Sequence, residues 1–286
     1  MRYLDPKNDL TFKKVFGEHP HLLLSFLNAL LPLEEDQRIE SLEYIPAELV
    51  PQLPVLKQSI VDVRCTDNRG RQFIVEMQML WTDSFKNRVL FNASKAYVKQ
   101  LDRGHKYKGL KPVYALSLVN ENFETGTDTY YHHYSIVHTQ FPERQIEGLQ
   151  FVFIELPKFR AQNITEKRLQ VLWLRFLTEI EDGTEQLPGD LLDVPEVREA
   201  IEYLQESAFT KEELETYDKY WDSVSRERTL IEDAYEKGEQ QGEQRGEERG
   251  EQKKAVAIAR SMKAKGFEIA TIAELTGLNS AYIEQL

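Results

Sequence analysis

Cysteine is almost absent from this 286-residue chain: Cys65 stands alone. That excludes a disulfide scaffold and any cysteine-rich zinc site. A long apolar run is missing too. The longest, residues 22–33, is broken by Ser25, Asn28 and Pro32, and is too short to span a bilayer. No apolar stretch follows the charged start, so no signal peptide is expected and the protein is expected in the cytoplasm, with no membrane partner. Net positive charge is also lacking. With 36 basic and 48 acidic residues the chain carries −12, which argues against a generally cationic nucleic-acid coat protein. What remains, 41% hydrophobic and 29% charged residues, suits a soluble globular protein with one or two domains and a sizeable core.

The average charge hides an asymmetry. Residues 57–111 hold twelve basic and five acidic residues, so this segment is +7 and the rest of the chain is −19. Such a concentration suits a face that binds a polyanion, because phosphate contacts come mainly from Lys and Arg. A solvated surface paired with acids elsewhere would show the same count.

Asn8 or Asp9 can cap a helix running to about residue 15, with Phe12, Val15 and Phe16 on one face and Gly17 as its stop. After Pro20 the spacing of Leu22, Leu23, Phe26, Leu27, Leu30 and Leu31 predicts a second helix that ends at Pro32. β-forming runs follow at about 39–45, 58–66 and 71–81, the last two joined by the turn-forming Asp67-Asn68-Arg69-Gly70. A helix fits 84–103, closed by Gly104, and strands fit 111–119, 130–138 and 150–156. This order predicts an α/β core with helices packed on a mixed sheet. Beyond Pro157 the pattern turns helical, at about 165–181, 196–207 and 210–236. Gly238, Gly242, Gly246 and Gly250 then recur among Glu, Gln and Arg. Each glycine weakens a helix by about 1 kcal/mol relative to alanine, so a frayed helical linker is preferred here to a packed helical pair. The expected division is a core over 1–160, a helical region over 161–236, a Gly/Glu/Gln-rich linker or helix over 237–252, and a small helical module over 253–286 broken at Gly266 and Gly277.

The residues that could carry chemistry lie on the 58–66 and 71–81 hairpin. Asp62 sits in Ile60-Val61-Asp62-Val63, and Glu76 in Phe73-Ile74-Val75-Glu76-Met77-Gln78-Met79, both strongly apolar. Side chains alternate along a strand, so Glu76 and Gln78 share a face. If the hairpin is symmetric about Arg69, residues whose numbers sum to 138 face one another, and Asp62 opposes Glu76. Directly opposed Cβ atoms lie roughly 4.5–5.5 Å apart, where like charges destabilise. One carboxyl should then be driven to its protonated form, or a divalent cation should sit between the two. Two carboxylates with waters and a substrate phosphate is the usual way to hold Mg²⁺. Alternatively one acid faces solvent or pairs with Arg64 or Arg71.

Asp62 on one strand, Glu76-Met77-Gln78 on the next, then a helix and an apolar strand, resembles the PD-(D/E)XK nuclease core. More narrowly, Asn8-Asp9-Leu10-Thr11-Phe12-Lys13-Lys14-Val15-Phe16-Gly17, Val61-Asp62-Val63, Glu76-Met77-Gln78-Met79, Tyr97, Gln100-Leu101 and Gly104…Tyr107 resemble the Rpn family of recombination-promoting nucleases and transposases. The resemblance covers residues 1–160 and implies a restriction-endonuclease-like α/β core with an α-helical C-terminal region. It implies a metal-dependent DNA endonuclease with a role in recombination or transposition. Asp62 and Glu76 would ligate Mg²⁺, with Mn²⁺ as the alternative ion, and Asp9 is a candidate third acid or an N-cap. Val61 replaces the proline of the motif and Gln78 its lysine. An amide carries no charge and cannot act as a base, yet it can orient a water or act as an oxygen ligand.

On the 84–103 helix, Arg88, Asn92, Lys95, Lys99 and Arg103 form a basic stripe suited to a phosphate backbone, with Val89, Leu90, Ala93, Ala96, Tyr97 and Leu101 opposite. Arg88, Lys95, Lys99 and Arg103 are the candidate DNA contacts, and Tyr97 is expected in the core. His132, His133 and His138 are expected on the surface, since they lack metal-ligand spacing. Residues 269–286 resemble a helix-turn-helix, but residues 279–286, the would-be recognition helix, hold no Lys or Arg. An oligomerisation or docking module, including a homo-oligomer through the helical C-terminal region, is therefore at least an equal expectation. The alternative function is a DNA-binding or protein-interaction module whose nuclease fold has lost catalysis.

Overall fold

The computed structural model describes residues 2–45, 62–101, 106–161 and 168–286. The chain forms two compact units, Met1–Val224 and Ser225–Leu286.

The first unit is built on one six-stranded sheet. Its strands are β1 (Leu42–Tyr44), β2 (Val63–Asp67), β3 (Gln72–Gln78), β4 (Val113–Val119), β5 (Tyr131–His138) and β6 (Phe141–Glu155), in the spatial order β1-β2-β3-β4-β6-β5. The β1–β2, β2–β3 and β5–β6 pairs are antiparallel, whereas β3–β4 and β4–β6 are parallel. The expected mixed sheet is therefore present. The expected strand residues 58–61 lie outside the described residues.

The β2–β3 hairpin turns where its sequence directs. Gly70 adopts φ +78°, a region other residues avoid. Asp67 Oδ1 accepts from the Arg69 and Arg71 backbone N–H groups at 3.0 and 2.8 Å, and its Oδ2 accepts from Arg71 Nε at 2.7 Å. The buried Asp67–Arg71 pair thereby ties the turn and fixes the strand register behind it.

Alternation along β3 divides the protein into two layers. Phe73, Val75 and Met77 face the larger core, and Ile74 faces a smaller one. The larger core is covered by α1 (Asp9–Phe12, continued by a π-helical turn over Lys13–Gly17), α2 (Pro20–Leu30), α4 (Arg168–Glu179) and α5 (Pro195–Glu202). Asn8 caps α1 through its side chain, which accepts from the Leu10 backbone N–H. Phe12, Phe16, Phe26, Trp173 and Phe176 interlock at its centre, with Phe16 and Phe26 ring centres 4.4 Å apart. Trp173 Nε1 donates to Ser25 Oγ at 3.2 Å, which satisfies the buried indole.

The smaller core lies under α3 (Phe85–Val98), the crossover helix between the parallel strands β3 and β4. Phe85, Val89, Ala93 and Ala96 are buried against Ile74, Val113, Ala115, Val119 and Phe153. Tyr97 packs partly buried on the same cluster. Leu90, expected on the apolar face, is 48% exposed. It lies beyond the buried arc that Val89, Ala93 and Ala96 define. The helix stops at Val98, short of the expected residue 103.

Strand β6 begins nine residues before the expected 150, at Phe141, and its first seven residues are exposed. Polar residues there are held by pairing with β5 rather than by burial. His132 is a second departure. Its side chain is only 12% exposed, and Nε2 bonds Glu155 Oε1 at 2.7 Å, so it is an interior hydrogen-bonding group rather than a surface one.

The long helix α6 (Lys211–Ala264) begins in the first unit and runs on into the second. It passes through Gly238, Gly242, Gly246 and Gly250, so the expected linker is helical. Glutamate, glutamine and arginine between the glycines are strong helix formers, and they outweigh the glycine cost. In the second unit, α7 (Ile269–Thr276) and α8 (Ser280–Gln285) close a small core of Ala259, Ile272 and Ile283. Gly266 and Gly277 take φ of +80° and +71°, as the breaks required. Among the described residues, no helix is long and apolar enough to cross a membrane.

The aromatic cluster sets a stability test. Phe16→Ala should lower the unfolding free energy by about 3–5 kcal/mol, whereas Leu90→Ala should change it by less than about 0.5 kcal/mol. Urea unfolding followed by circular dichroism measures both.

Candidate active site

Register brings the two acids together. Val63 opposes Val75, Arg64 opposes Ile74 and Cys65 opposes Phe73, which is the symmetry about Arg69 expected from the sequence. Asp62, the residue just before β2, continues that register towards Glu76, and its Oδ2 accepts from the Met77 backbone N–H. On the other side of β3, Glu76 is in register with Ser117 of β4.

Both acids resist ionisation. Burial pushes the Asp62 carboxyl up to about 7, and the charges of Asp9 and Glu76 push the same way, against the Met77 N–H and Lys13. Burial also raises Glu76, which is 6% exposed. It is opposed by a hydrogen bond from Asn92 Nδ2 to Oε1 at 2.9 Å and by the charge of Arg88, whose Nη2 is 3.9 Å from Oε2. Two carboxyls held above their usual range beside one another form a site poised for a cation, which would remove the cost of ionising both.

The donor set fits a hard divalent ion. The oxygens it could offer are carboxylate ones, and among the described residues the buried Ser117 Oγ, in register with Glu76, has no hydrogen-bond partner. Among the described residues no group of three or more His, Cys, Asp or Glu is gathered as a ready-made metal cage. Two carboxylates completed by water and substrate oxygens suit Mg²⁺ better than such a cage does. Asp9, the candidate third acid, pairs with Lys13 Nζ at 2.8 Å and acts on Asp62 only through its charge. The cap of α1 is Asn8.

Gln78 is held at both ends of its amide. Nε2 donates to the Leu80 carbonyl at 2.6 Å, and Oε1 accepts from Arg88 Nη2 at 2.6 Å. The helix α3 thus reaches into the site twice, through Arg88 and Asn92. Asn92 was expected on the basic stripe, but it is 1% exposed and turned towards Glu76. Its one distinguishing mark in the sequence is that it is the uncharged member of that stripe. Lys99 is exposed and Lys95 half-buried further along α3. The Lys99 ammonium is pushed down by desolvation and by the nearby charges of Lys95 and Arg64, so these three cations share one positive field. Arg103 lies outside the described residues.

The raised Asp62 value carries a sign. Unfolded, its carboxyl releases its proton near 3.8, whereas folded it holds the proton up to about 7. Between those values the folded state binds more protons, so stability contributed by this group falls as pH rises. Without divalent metal, Asp62→Asn should gain stability over the wild type between about pH 4 and about pH 7, read as a growing difference in urea midpoints. Parallel curves would contradict the raised value.

A family model for PD-(D/E)XK nuclease family transposases matches residues 6–234. No curated protein and no solved structure matches the chain. The match takes in the hairpin with Asp62 and Glu76, the crossover helix behind it and the helices covering the larger core, so the chain belongs to the PD-(D/E)XK nuclease family transposases.

Proposed function

We propose that the protein is a metal-dependent DNA endonuclease that hydrolyses phosphodiesters, acting in the cytoplasm in recombination or transposition. What supports this reading is the nearness of Asp62 and Glu76 along the β2–β3 register, the first half-buried and the second buried, with both carboxyls held above their usual range. Family membership supports a nuclease and a DNA substrate.

Asp62 and Glu76 would hold the ion, Mg²⁺ or Mn²⁺. When bound, the ion supplies positive charge to the phosphoryl oxygens and acidifies the attacking water. Asp62 is fixed by the Met77 N–H on Oδ2, so Oδ1 would be the oxygen that holds the ion. Asn92 holds Glu76 through Oε1, so that Oε2 is the oxygen offered. Gln78, clamped between Leu80 and Arg88, retains one N–H and one lone pair with which to orient the water. Lys95 and Lys99 line the approach on α3, and their shared positive field favours a phosphate backbone. The helical C-terminal region is assigned to assembly, as a homo-oligomer.

Supercoiled plasmid with Mg²⁺ tests the reading, beside Glu76→Ala and a chelator. The expected result is nicking by the wild type that both controls abolish. A wild type inert with Mg²⁺ and with Mn²⁺ would favour a nuclease fold retained for binding. Cleavage that survives Glu76→Ala would place the chemistry elsewhere.

A further inference from the structure

With Gln78 in the lysine position, the motif itself brings no positive charge to a phosphate that gathers negative charge as it is cut. Asp62 and Glu76 add more negative charge beside it. Arg88 lies where the missing charge is needed. From the first turn of α3 its Nη2 donates to Gln78 Oε1 at 2.6 Å and stands 3.9 Å from Glu76 Oε2. Its guanidinium carbon lies 4.8 Å from the centre of the buried Phe85 ring. These contacts, on three different residues, fix the plane of the fork. Among the described residues Nε and Nη1 have no hydrogen-bond partner, and the side chain is 52% exposed, so donors remain free for a ligand.

Neighbouring cations are committed elsewhere. Lys13 holds Asp9 at 2.8 Å, and Lys86 pairs with Glu124. Lys95 and Lys99 follow further along the helix and its cap. Arg88 therefore stands beside the carboxylates as well as at the head of the stripe.

Resting on the nuclease reading above, we infer that Arg88 is a catalytic residue: with Gln78 it replaces the lysine of the motif, Gln78 orienting the water and Arg88 holding a non-bridging oxygen of the phosphate being cut. In that hydrolysis the water oxygen bonds to phosphorus as the P–O bond to one sugar oxygen breaks. The hydroxyl stays on phosphorus and the other water proton ends on the released sugar oxygen. Arg88 acts through charge and fixed donors, not as an acid or base. The division of labour also explains why Gln78 is clamped: the amide that orients the water is itself oriented by the cation.

Two measurements on the full chain test this: single-turnover cleavage of a DNA duplex with Mg²⁺, and metal-free DNA binding by fluorescence anisotropy across a salt series. Arg88→Gln should slow cleavage about 10²–10³-fold, the usual effect of removing one donor to a developing oxyanion. The slope of log Kd against log salt should fall by no more than about one, the loss of a single phosphate contact, so the rate loss and its rescue carry the distinction. Gln78→Lys added to Arg88→Gln should restore at least about ten-fold of the rate, since lysine serves as a point charge for phosphate. A reduced slope with an unchanged rate would make Arg88 a backbone contact and overturn the inference. A rate loss that Gln78→Lys does not relieve would leave it a structural role and also overturn it. Should the melting curve show Arg88→Gln unfolded, Arg88→Lys serves instead. It keeps the charge and loses the fork, and is expected to cut more slowly than the wild type at an unchanged salt slope. Wild-type speed in that variant would overturn the paired role with Gln78. A wild type that cuts nothing with Mg²⁺ or Mn²⁺ overturns the nuclease reading and Arg88 with it, whereas an active wild type beside an equally active Arg88→Gln overturns Arg88 alone.

Discussion

Two acids opposed across one hairpin are the constraint on which the site is organised. Asp62 continues the β2–β3 register, which the Asp67-anchored turn sets, towards Glu76, and a slip of one residue would send Glu76 to the larger core. Holding them there is unfavourable in the absence of a cation. The protein offsets part of the cost locally, with the Met77 N–H on Asp62 and with Asn92 and Arg88 on Glu76. Each of these aids is partial, and both carboxyls remain above their ordinary range. The remaining imbalance is what a divalent ion would relieve.

The sheet and the crossover helix exist in the form this pair needs. Parallel pairing of β3 with β4 requires a crossover, and α3 supplies it across the face that Glu76 points to. Its apolar side packs on Ile74 and Phe153, and its polar residues then fall at the open end of the site. The same helix carries cations away from the acids, through Lys95 to Lys99. Among the described residues of this segment, Asp62 and Glu76 sit on the hairpin, and Arg88, Lys95 and Lys99 follow one another along the helix and its cap. The acidic balance of the whole chain conceals this arrangement.

The hairpin was legible because its determinants are local. Turn residues, alternation and the symmetry about Arg69 suffice to oppose residues 62 and 76, and the pairing of Val63 with Val75 agrees. Helices around Phe12, Phe16 and Leu22–Leu30 were legible for the same reason, their apolar spacing being strict. Asn92 was not, because helical spacing gives a direction but not what lies across it. The inward turn of Asn92 depends on Glu76, a contact made through the sheet. His132 escaped notice likewise, since Glu155 reaches it from the neighbouring strand. The glycine repeat stayed open between linker and helix, because propensity counts each glycine while the intervening residues sustain α6 through all of them.

The central claim is that the opposed acids form a cation site, and titration of Mn²⁺ into metal-free protein measures it most directly. The wild type should bind a single ion, more weakly as pH falls below about 7, where Asp62 takes up its proton. Glu76→Gln, which keeps the shape and removes the charge, should weaken binding at least about ten-fold. Binding that is absent from the wild type, or indifferent to Glu76→Gln, would contradict the account.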